Sequence, residues 1–281
     1  MIQPKSAAAV PNDVAAHYDE LDPFYRAIWG THVHHGYWET GRENTAEAVL
    51  NLTRFVATQA GIGPGIRVCD FGCGYGATAE YLEENYRASV TGITISRRQH
   101  AYAMTQKKSG STRQFLLANG LENSLRSQSF DTFIAIESSE HISDKPKFLR
   151  EAHRLLTSDG RLAIAAWLAR ENPRRWETEF LLEPICTEGR IANLPTAPEY
   201  VEMIEAAGFR DSRFFDLTSK VAKTWRLCAL GFLKALCTDG ALRRQFFQLD
   251  PAQGAFAKSV FRIWLAYHTG SMRYGVFSAQ R

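Results

Sequence analysis

Apolar and polar residues along this chain follow two different spacings, and the switch between them marks out the elements. Short, largely apolar runs suited to buried strands occur at residues 67–71, 88–93, 114–118, 130–137, 161–168, 209–217 and 272–279. Between them the apolar positions fall three or four apart. That spacing predicts helices over 45–60, where Val49, Leu52, Phe55 and Val56 share a face, and over 77–86, 97–108, 147–156 and 198–207. Strand and helix alternate from residue 67 onward, which calls for a mostly parallel sheet with right-handed crossovers. Ser158, Asp159 and Gly160 read as a turn into the fifth strand. Residues 1–11 are small, polar or proline and predict a disordered start. Asn12 or Asp13 is expected to cap a helix carrying Val14, Tyr18, Leu21 and Tyr25, which Pro23 breaks or restarts.

The stretch after the first strand carries the chemistry. Gly72, Gly74 and Gly76 stand at alternate positions just before the helix that opens at Ala77. Such a turn lets the backbone approach a ligand closely and aims the free N–H groups of the next helix at it, as in a nucleotide-type cofactor site at the carboxyl end of a strand. Gly72, Gly74 and Ala77 also satisfy the loose dinucleotide pattern. Two features argue against a nicotinamide dinucleotide. Asp70 puts a carboxylate before the first glycine, where it repels a pyrophosphate and welcomes an ammonium group. The second strand leads into Thr94, Ile95 and Ser96, where a dinucleotide fold needs Asp or Glu for the ribose. The expected ligand is therefore S-adenosylmethionine, leaving S-adenosylhomocysteine as product.

Val68 to Gly76 resembles the cofactor motif of class I S-adenosylmethionine-dependent methyltransferases. Gly92-Ile-Thr-Ile-Ser-Arg-Arg-Gln-His-Ala101 is similar to the subgroup of γ-tocopherol methyltransferases and cyclopropane-fatty-acid and mycolic-acid synthases, in which Thr and Gln replace the acidic ribose ligand. Trp29-Gly-Thr-His-Val-His-His-Gly-Tyr-Trp38 and Glu137-Ser-Ser-Glu-His-Ile142 look like the tocopherol-type members. The likeness covers residues 15–170 well and the rest weakly. It implies a Rossmann-like seven-stranded α/β sheet, mostly parallel with an antiparallel last strand, helices on both faces and a helical lid. The expected division is a covering segment at 1–40, a cofactor-binding core at 41–170, and the rest of the sheet at 171–281 with a lid insertion near 218–270.

The same resemblance assigns cofactor contacts to Tyr18, Tyr37, Asp70, Gly72, Cys73, Gly74, Gly76, Thr94, Ile95, Ser96, Gln99, Asn119, Gly120, Leu121 and Glu137. Asn119 stands where many relatives have Asp, so it accepts from the adenine amino group without charge assistance. His141, past the end of the fourth strand, is the expected proton acceptor, with His34 and His35 next. In a minimal fold a hairpin joins the last two strands, so the helical patterns of 220–267 need another purpose. With the stripe Phe256, Val260, Trp264 and Tyr267 they predict a lid with an apolar inner face; packing on the sheet or a homodimer contact is the plain alternative.

Composition narrows the classes further. Of 281 residues, 45% are hydrophobic and 22% charged, as in an ordinary globular protein. A net charge of +3, with Arg97-Arg98, Arg174-Arg175 and Arg243-Arg244 as isolated pairs, offers no nucleic acid a basic stripe. Cys69, Cys73, Cys186, Cys228 and Cys237 are odd in number and lack a C-x-x-C spacing, so neither a disulfide framework nor a zinc site is expected, and His32, His34 and His35 lack a carboxylate or thiol partner for a metal. Reduced thiols, no apolar leader and no run of about 20 apolar residues point to a cytoplasmic protein without integral membrane association. The reading is methyl transfer to oxygen, carbon or nitrogen of a small, fairly apolar phenolic, prenylated or alkaloid-like metabolite. A cyclopropane-synthase-like lipid enzyme and a non-catalytic S-adenosylmethionine-binding protein are the alternatives.

Overall fold

The computed structural model describes residues 1–4, 11–238 and 251–281. β1 (Arg67–Phe71) sits in mid-sheet because its last four residues are buried, which such a run satisfies between two layers of helix. β2 (Ser89–Thr94), β3 (Gln114–Leu117), β4 (Phe130–Ile136), β5 (Leu156–Ala169), β6 (Arg210–Asp216) and β7 (Met272–Gln280) complete one seven-stranded sheet in the order β3-β2-β1-β4-β5-β7-β6. β1 to β5 pair in parallel, while β7 lies antiparallel between β5 and β6. The expected α/β class and the reversed last strand are both present.

Helices flank the sheet: α1 (Pro11–Glu20), α2 (Asp22–Trp29), α3 (Thr45–Gln59), α4 (Ala77–Tyr86), α5 (Arg97–Thr105), α6 (Lys145–Leu155), α7 (Arg175–Glu177), α8 (Glu183–Glu188), α9 (Ala197–Ala206), α10 (Thr218–Val221), α11 (Lys223–Thr238) and α12 (Pro251–Thr269). Local chemistry sets several starts. Asn44 accepts from the Glu47 N–H at 3.0 Å while Glu47 accepts from the Asn44 N–H at 2.9 Å, a reciprocal cap that opens α3. Thr196 and Glu199 open α9 in the same way. One core packs α3, α4, α11 and α12 on one face of the sheet through Leu52, Val56, Leu82, Trp225 and Val260. The other packs α6 and α9 through Phe148, Leu149, Leu155 and Tyr200. Phe148 stands at its centre, 4.9 Å from Phe71 and 5.7 Å from Phe133 between ring centroids.

Several expectations are corrected. The chain's start is anchored at residues 1–4: Ile2 exchanges backbone hydrogen bonds with Leu194, and the terminal amine meets Glu199. α1 begins at Pro11, so neither Asn12 nor Asp13 caps it. Pro23 restarts rather than ends the helix, sitting in the first turn of α2, where its missing N–H costs nothing. Residues 158–160 form no turn; β5 already begins at Leu156, and three extra residues bulge between the pairs Phe130–Leu156 and Thr132–Arg161. The 218–270 insertion is helical in its described parts, with Val260 and Tyr267 buried but Trp264 39% exposed, so the stripe divides between two faces. Residues 239–250 and the Phe256 and Cys237 side chains lie outside the described residues.

Replacing Phe148 by Ala removes the ring that joins β1 and β4 to α6. The expected cost is about 3–5 kcal/mol, measured as a lower urea midpoint with an unchanged slope.

Candidate active site

Two cavities open at the carboxyl ends of β1, β2 and β4, and they share a wall. The first, about 930 Å³ with its mouth included, lies over the glycine turn. Gly72 has φ +79°, and a Cβ there would come within 2.3 Å of the Ser138 Cβ, so only glycine fits. Thr94, Ile95 and Gln99 line one side, Asn119, Gly120 and Leu121 another, and Pro11, Val14 and Tyr18 of α1 close it from above. Thr94 Oγ donates to Gln99 Oε1 at 2.9 Å, leaving the Gln99 amide NH2 as a donor beside the cavity. The second cavity, about 790 Å³ on the same measure, is walled by Trp29, Trp167, Trp225, Ile185, Val260 and Ile263, with His34, Glu140 and Glu188 among its polar lining. Tyr18, Val33, Glu137 and His141 line both.

Glu137 organises this shared wall. The chain leaves β4 with φ +51° at Glu137, a left-handed turn uncommon for a side chain of this size. Its buried carboxylate accepts four hydrogen bonds: from the His35 N–H at 2.7 Å, His35 Nδ1 at 2.9 Å, Trp167 Nε1 at 2.8 Å and the Tyr274 hydroxyl at 2.7 Å. Burial alone would raise its pKa, but the hydrogen bonds that it accepts from the His35 ring and N–H outweigh it and hold the group down to about 2.

The three candidate histidines differ in what their ring nitrogens have left to offer. Trp225 Nε1 can only donate, and it donates to His35 Nε2 at 2.6 Å, with the Tyr267 hydroxyl 3.1 Å from the same atom. His35 therefore carries its proton on Nδ1, gives it to Glu137 and keeps no free lone pair. Its expected catalytic role is corrected to a structural one. His141 Nδ1 donates to the Arg190 carbonyl at 2.9 Å, so its Nε2 accepts from the Tyr18 hydroxyl, also at 2.9 Å. Burial lowers the His141 pKa and raises that of Tyr18, which keeps this O–H···N arrangement intact. His34 Nδ1 donates to the His35 carbonyl at 2.9 Å, while its Nε2 is buried without a partner among the described residues.

Sequence reasoning missed Glu140. Its Oε1 accepts from the Trp167 N–H at 2.7 Å and its Oε2 has no partner among the described residues, although the residue is buried and lines the second cavity. Burial, with Glu137 close by, raises its pKa above the usual carboxylate range. Buried Lys145 donates to Asn193 and to the Ile142 carbonyl rather than to Glu140. The spacing Glu137-x-x-Glu140-His141 was the available signal, since one tight turn brings all three to the same strand end.

Other assigned residues stand elsewhere. Tyr37 lies in neither cavity; its ring packs 5.4 Å from Phe55 and its N–H bonds the Ala48 carbonyl, because the loop turns away toward α3 after Gly36. Ser96 caps α5 by accepting from the Gln99 N–H and donates to Asp19 of α1 at 2.5 Å, so it fastens the cover instead of lining the cavity. The Cys73 side chain packs under the turn against Gly92, and Gly76 makes room for the Phe115 ring. Asn119 lines the first cavity, and its Oδ1, which accepts from the Leu121 N–H at 3.1 Å, keeps a second lone pair.

S-adenosylmethionine fits the first cavity on a feature of the chain itself. Asp70 is buried just before the lining residues Phe71 and Gly72, and its Oδ2 has no partner among the described residues; burial raises its pKa to about 7. A cationic amino group supplies what that oxygen lacks, whereas a diphosphate would worsen its position. Asp19–Ser96, Tyr18–His141 and the 2.8 Å bond from the Tyr75 hydroxyl to Asp22 hold the N-terminal helices over the site.

Residues 5–273 match the family described as Mycolic acid cyclopropane synthetase. The chain is 27% identical to the chloroplastic tocopherol O-methyltransferase of Arabidopsis thaliana, over 98% of this chain and 84% of that protein. It is 30% identical to the methyltransferase GfsG of Streptomyces halstedii, over 77% of this chain and 79% of that one. The cyclopropane synthase MmaA2 from Mycobacterium tuberculosis superposes with a TM-score of 0.84 at 23% identity, covering 98% and 99% of the two chains.

Glu137→Gln turns two of four acceptor positions into donors and leaves buried donors unpaired. A loss of about 3–5 kcal/mol is expected at pH 7 by chemical denaturation. Because the folded-state value of Glu137, about 2, lies below the ordinary 4.5, its stabilisation is full above about pH 4.5 and fades as pH falls toward 2; this acid-induced loss should shrink in the variant. For Asp70 the sign is opposite. Its raised value means the ionised carboxylate is disfavoured in the free protein, so affinity for S-adenosylmethionine should rise as pH increases through about 7, and Asp70→Asn should flatten that rise in calorimetry.

Proposed function

Because the chain belongs to the mycolic acid cyclopropane synthetase family, and is an S-adenosylmethionine-dependent methyltransferase, we propose that it methylates an oxygen of a small, largely apolar metabolite held in the tryptophan-walled cavity. The observation that carries this reading is the wall shared by the two cavities: Tyr18, Val33, Glu137 and His141 face both, so ligands in each meet there. The similarity to tocopherol O-methyltransferase supports oxygen as the accepting atom. Among the described residues lining the second cavity none is Lys or Arg, and Glu140 and Glu188 are acidic, which disfavours a phosphorylated acceptor.

S-adenosylmethionine, when bound, supplies a methyl group already activated by its sulfonium. The chain has to hold the acceptor oxygen in line with that group, keep water out and take a proton. Trp29, Trp167 and Trp225 supply apolar faces that orient the acceptor and exclude water, and positioning of this kind can contribute about 7–11 kcal/mol. Among the described residues lining that cavity, His34 Nε2, Glu140 Oε2 and Glu188 Oε2 are buried acceptor atoms without a partner; the Glu188 carboxylate is already paired with Arg262, so His34 accepts a hydrogen bond from the acceptor and Glu140 receives its proton. A carboxylate whose pKa is raised by burial is better matched to that task than one in water. Tyr18 and His141 act as a positioning pair, with both His141 nitrogens already committed. The four unpaired cysteines of the described residues support a cytoplasmic setting.

The decisive measurement is methyl transfer from S-adenosylmethionine to a panel of phenolic, prenylated and alkaloid-like alcohols, with unsaturated phospholipid alongside. Turnover on the alcohols is expected; transfer to the lipid alone would assign the alternative activity. Binding without turnover on any acceptor would leave a cofactor-binding protein. On the preferred acceptor Glu140→Gln should lower kcat about 10²–10⁴-fold with S-adenosylhomocysteine affinity unchanged. The wild-type rate should rise with pH as the Glu140 carboxyl ionises, and the variant should lose that limb.

A further inference from the structure

α11 and α12 present two different faces. Inward, Trp225, Val260 and Ile263 wall the second cavity. Outward, Leu227, Leu230 and Leu233 of α11 and Trp264 and Leu265 of α12 are 37 to 56% exposed. Those five are nearly half of the large apolar side chains exposed among the described residues, gathered on two helices. Buried residues on the same helices account for the inner side of the amphipathic pattern; nothing among the described residues accounts for the outer side.

Charge on this insertion is as uneven as its apolar surface. Residues 218–269 hold eight Lys or Arg and two Asp, whereas the other 229 residues hold 25 and 28. Within α10, α11 and α12 stand Lys220, Lys223, Arg226, Lys234, Lys258 and Arg262, and no acidic residue. Lys220 and Lys223 donate to the carbonyls of Glu39 and Gly41, Lys223 also standing 4.0 Å over the Trp38 ring, and Arg262 pairs with Glu188. Arg226 and Lys258 are exposed.

We propose that the outer face of α11 and α12 docks on an anionic lipid bilayer, with Leu227, Leu230, Leu233, Trp264 and Leu265 entering the headgroup boundary and Arg226 and Lys258 meeting lipid phosphates. Exposed apolar side chains on helices that carry cations and no acidic residue of their own have the chemistry of an interfacial helix. A second copy of the chain is a poor occupant, because a two-fold contact would set one basic face against the same basic face. Spanning is not involved: among the described residues no helix is long and apolar enough to cross a membrane. Docking here would bring the roof of the second cavity to the lipid, from which an apolar acceptor could enter. That last step alone rests on the methyl-transfer reading; the docking does not.

The test uses the full chain and co-sedimentation with vesicles of phosphatidylcholine, or of phosphatidylcholine with about 30% phosphatidylglycerol. Several-fold more protein is expected to pellet with the anionic vesicles, and added salt should weaken that binding. Arg226→Glu with Lys258→Glu should abolish the preference, and Leu230→Ser with Leu233→Ser should reduce binding several-fold. All four residues are exposed, so thermal midpoint and S-adenosylhomocysteine affinity should stay at wild-type values and distinguish lost docking from lost folding. Equal binding to the two vesicle types, or none, overturns the proposal for the wild-type chain without any variant. So does a dimer in size-exclusion chromatography that Leu230→Ser with Leu233→Ser dissolves, since that would assign the face to a second copy.

Discussion

A single buried carboxylate holds the working end of this protein together. Glu137 ends β4 in a left-handed turn and takes hydrogen bonds from His35 in the N-terminal loop, Trp167 of β5 and Tyr274 of β7. Through the far nitrogen of His35 the same network reaches Trp225 of α11 and Tyr267 of α12. Segments up to 232 residues apart in sequence therefore meet around one charge. Such a charge is tolerable in the interior only because every donor is aimed at it, and the loss of any one exposes the cost of the rest.

That arrangement decides how the neighbouring histidines can act. A histidine between a carboxylate and a tryptophan N–H has its tautomer fixed and both nitrogens occupied, so closeness to the reaction centre gives His35 no chemical freedom. His141 is tied more loosely, to a carbonyl and a tyrosine hydroxyl, and can be rearranged only by moving α1. The groups with something to give are those the network leaves incomplete: His34 Nε2, Glu140 Oε2 and Asp70 Oδ2. Each lies beside a cavity or its lining residues, where a ligand rather than the fold can complete it.

Local sequence made the scaffold legible and long-range geometry hid the rest. The glycine turn, the strand before it and the Thr94–Gln99 pair carry their geometry in adjacent residues, and the structure gathers them at one cavity. The helical insertion before the last strand was visible as a change of spacing. Tyr37 and Ser96 were misplaced for the opposite reason. Whether an aromatic residue or a serine faces a ligand depends on partners such as Phe55 and Asp19, which no local pattern announces. Glu140 was passed over because a carboxylate just past a strand end reads as shaping its loop and capping the next helix until its burial is known. The extra residues at the start of β5 look like a turn because Ser-Asp-Gly is turn chemistry, and only the pairing with β4 turns it into a bulge.

The strand order gives the insertion an unusual latitude. Its two ends leave the sheet beside each other, since Asp216 of β6 pairs with Gly275 of β7. The ladder has already closed that loop, so lengthening or shortening the helices between costs only a slowly growing entropy. A new roof can therefore be exchanged onto the same glycine turn with little penalty to the scaffold, provided that it still offers an indole and a phenol to the imidazole beneath. Diversity in what such enzymes accept could accumulate there while the half of the molecule that handles the common donor stays unchanged.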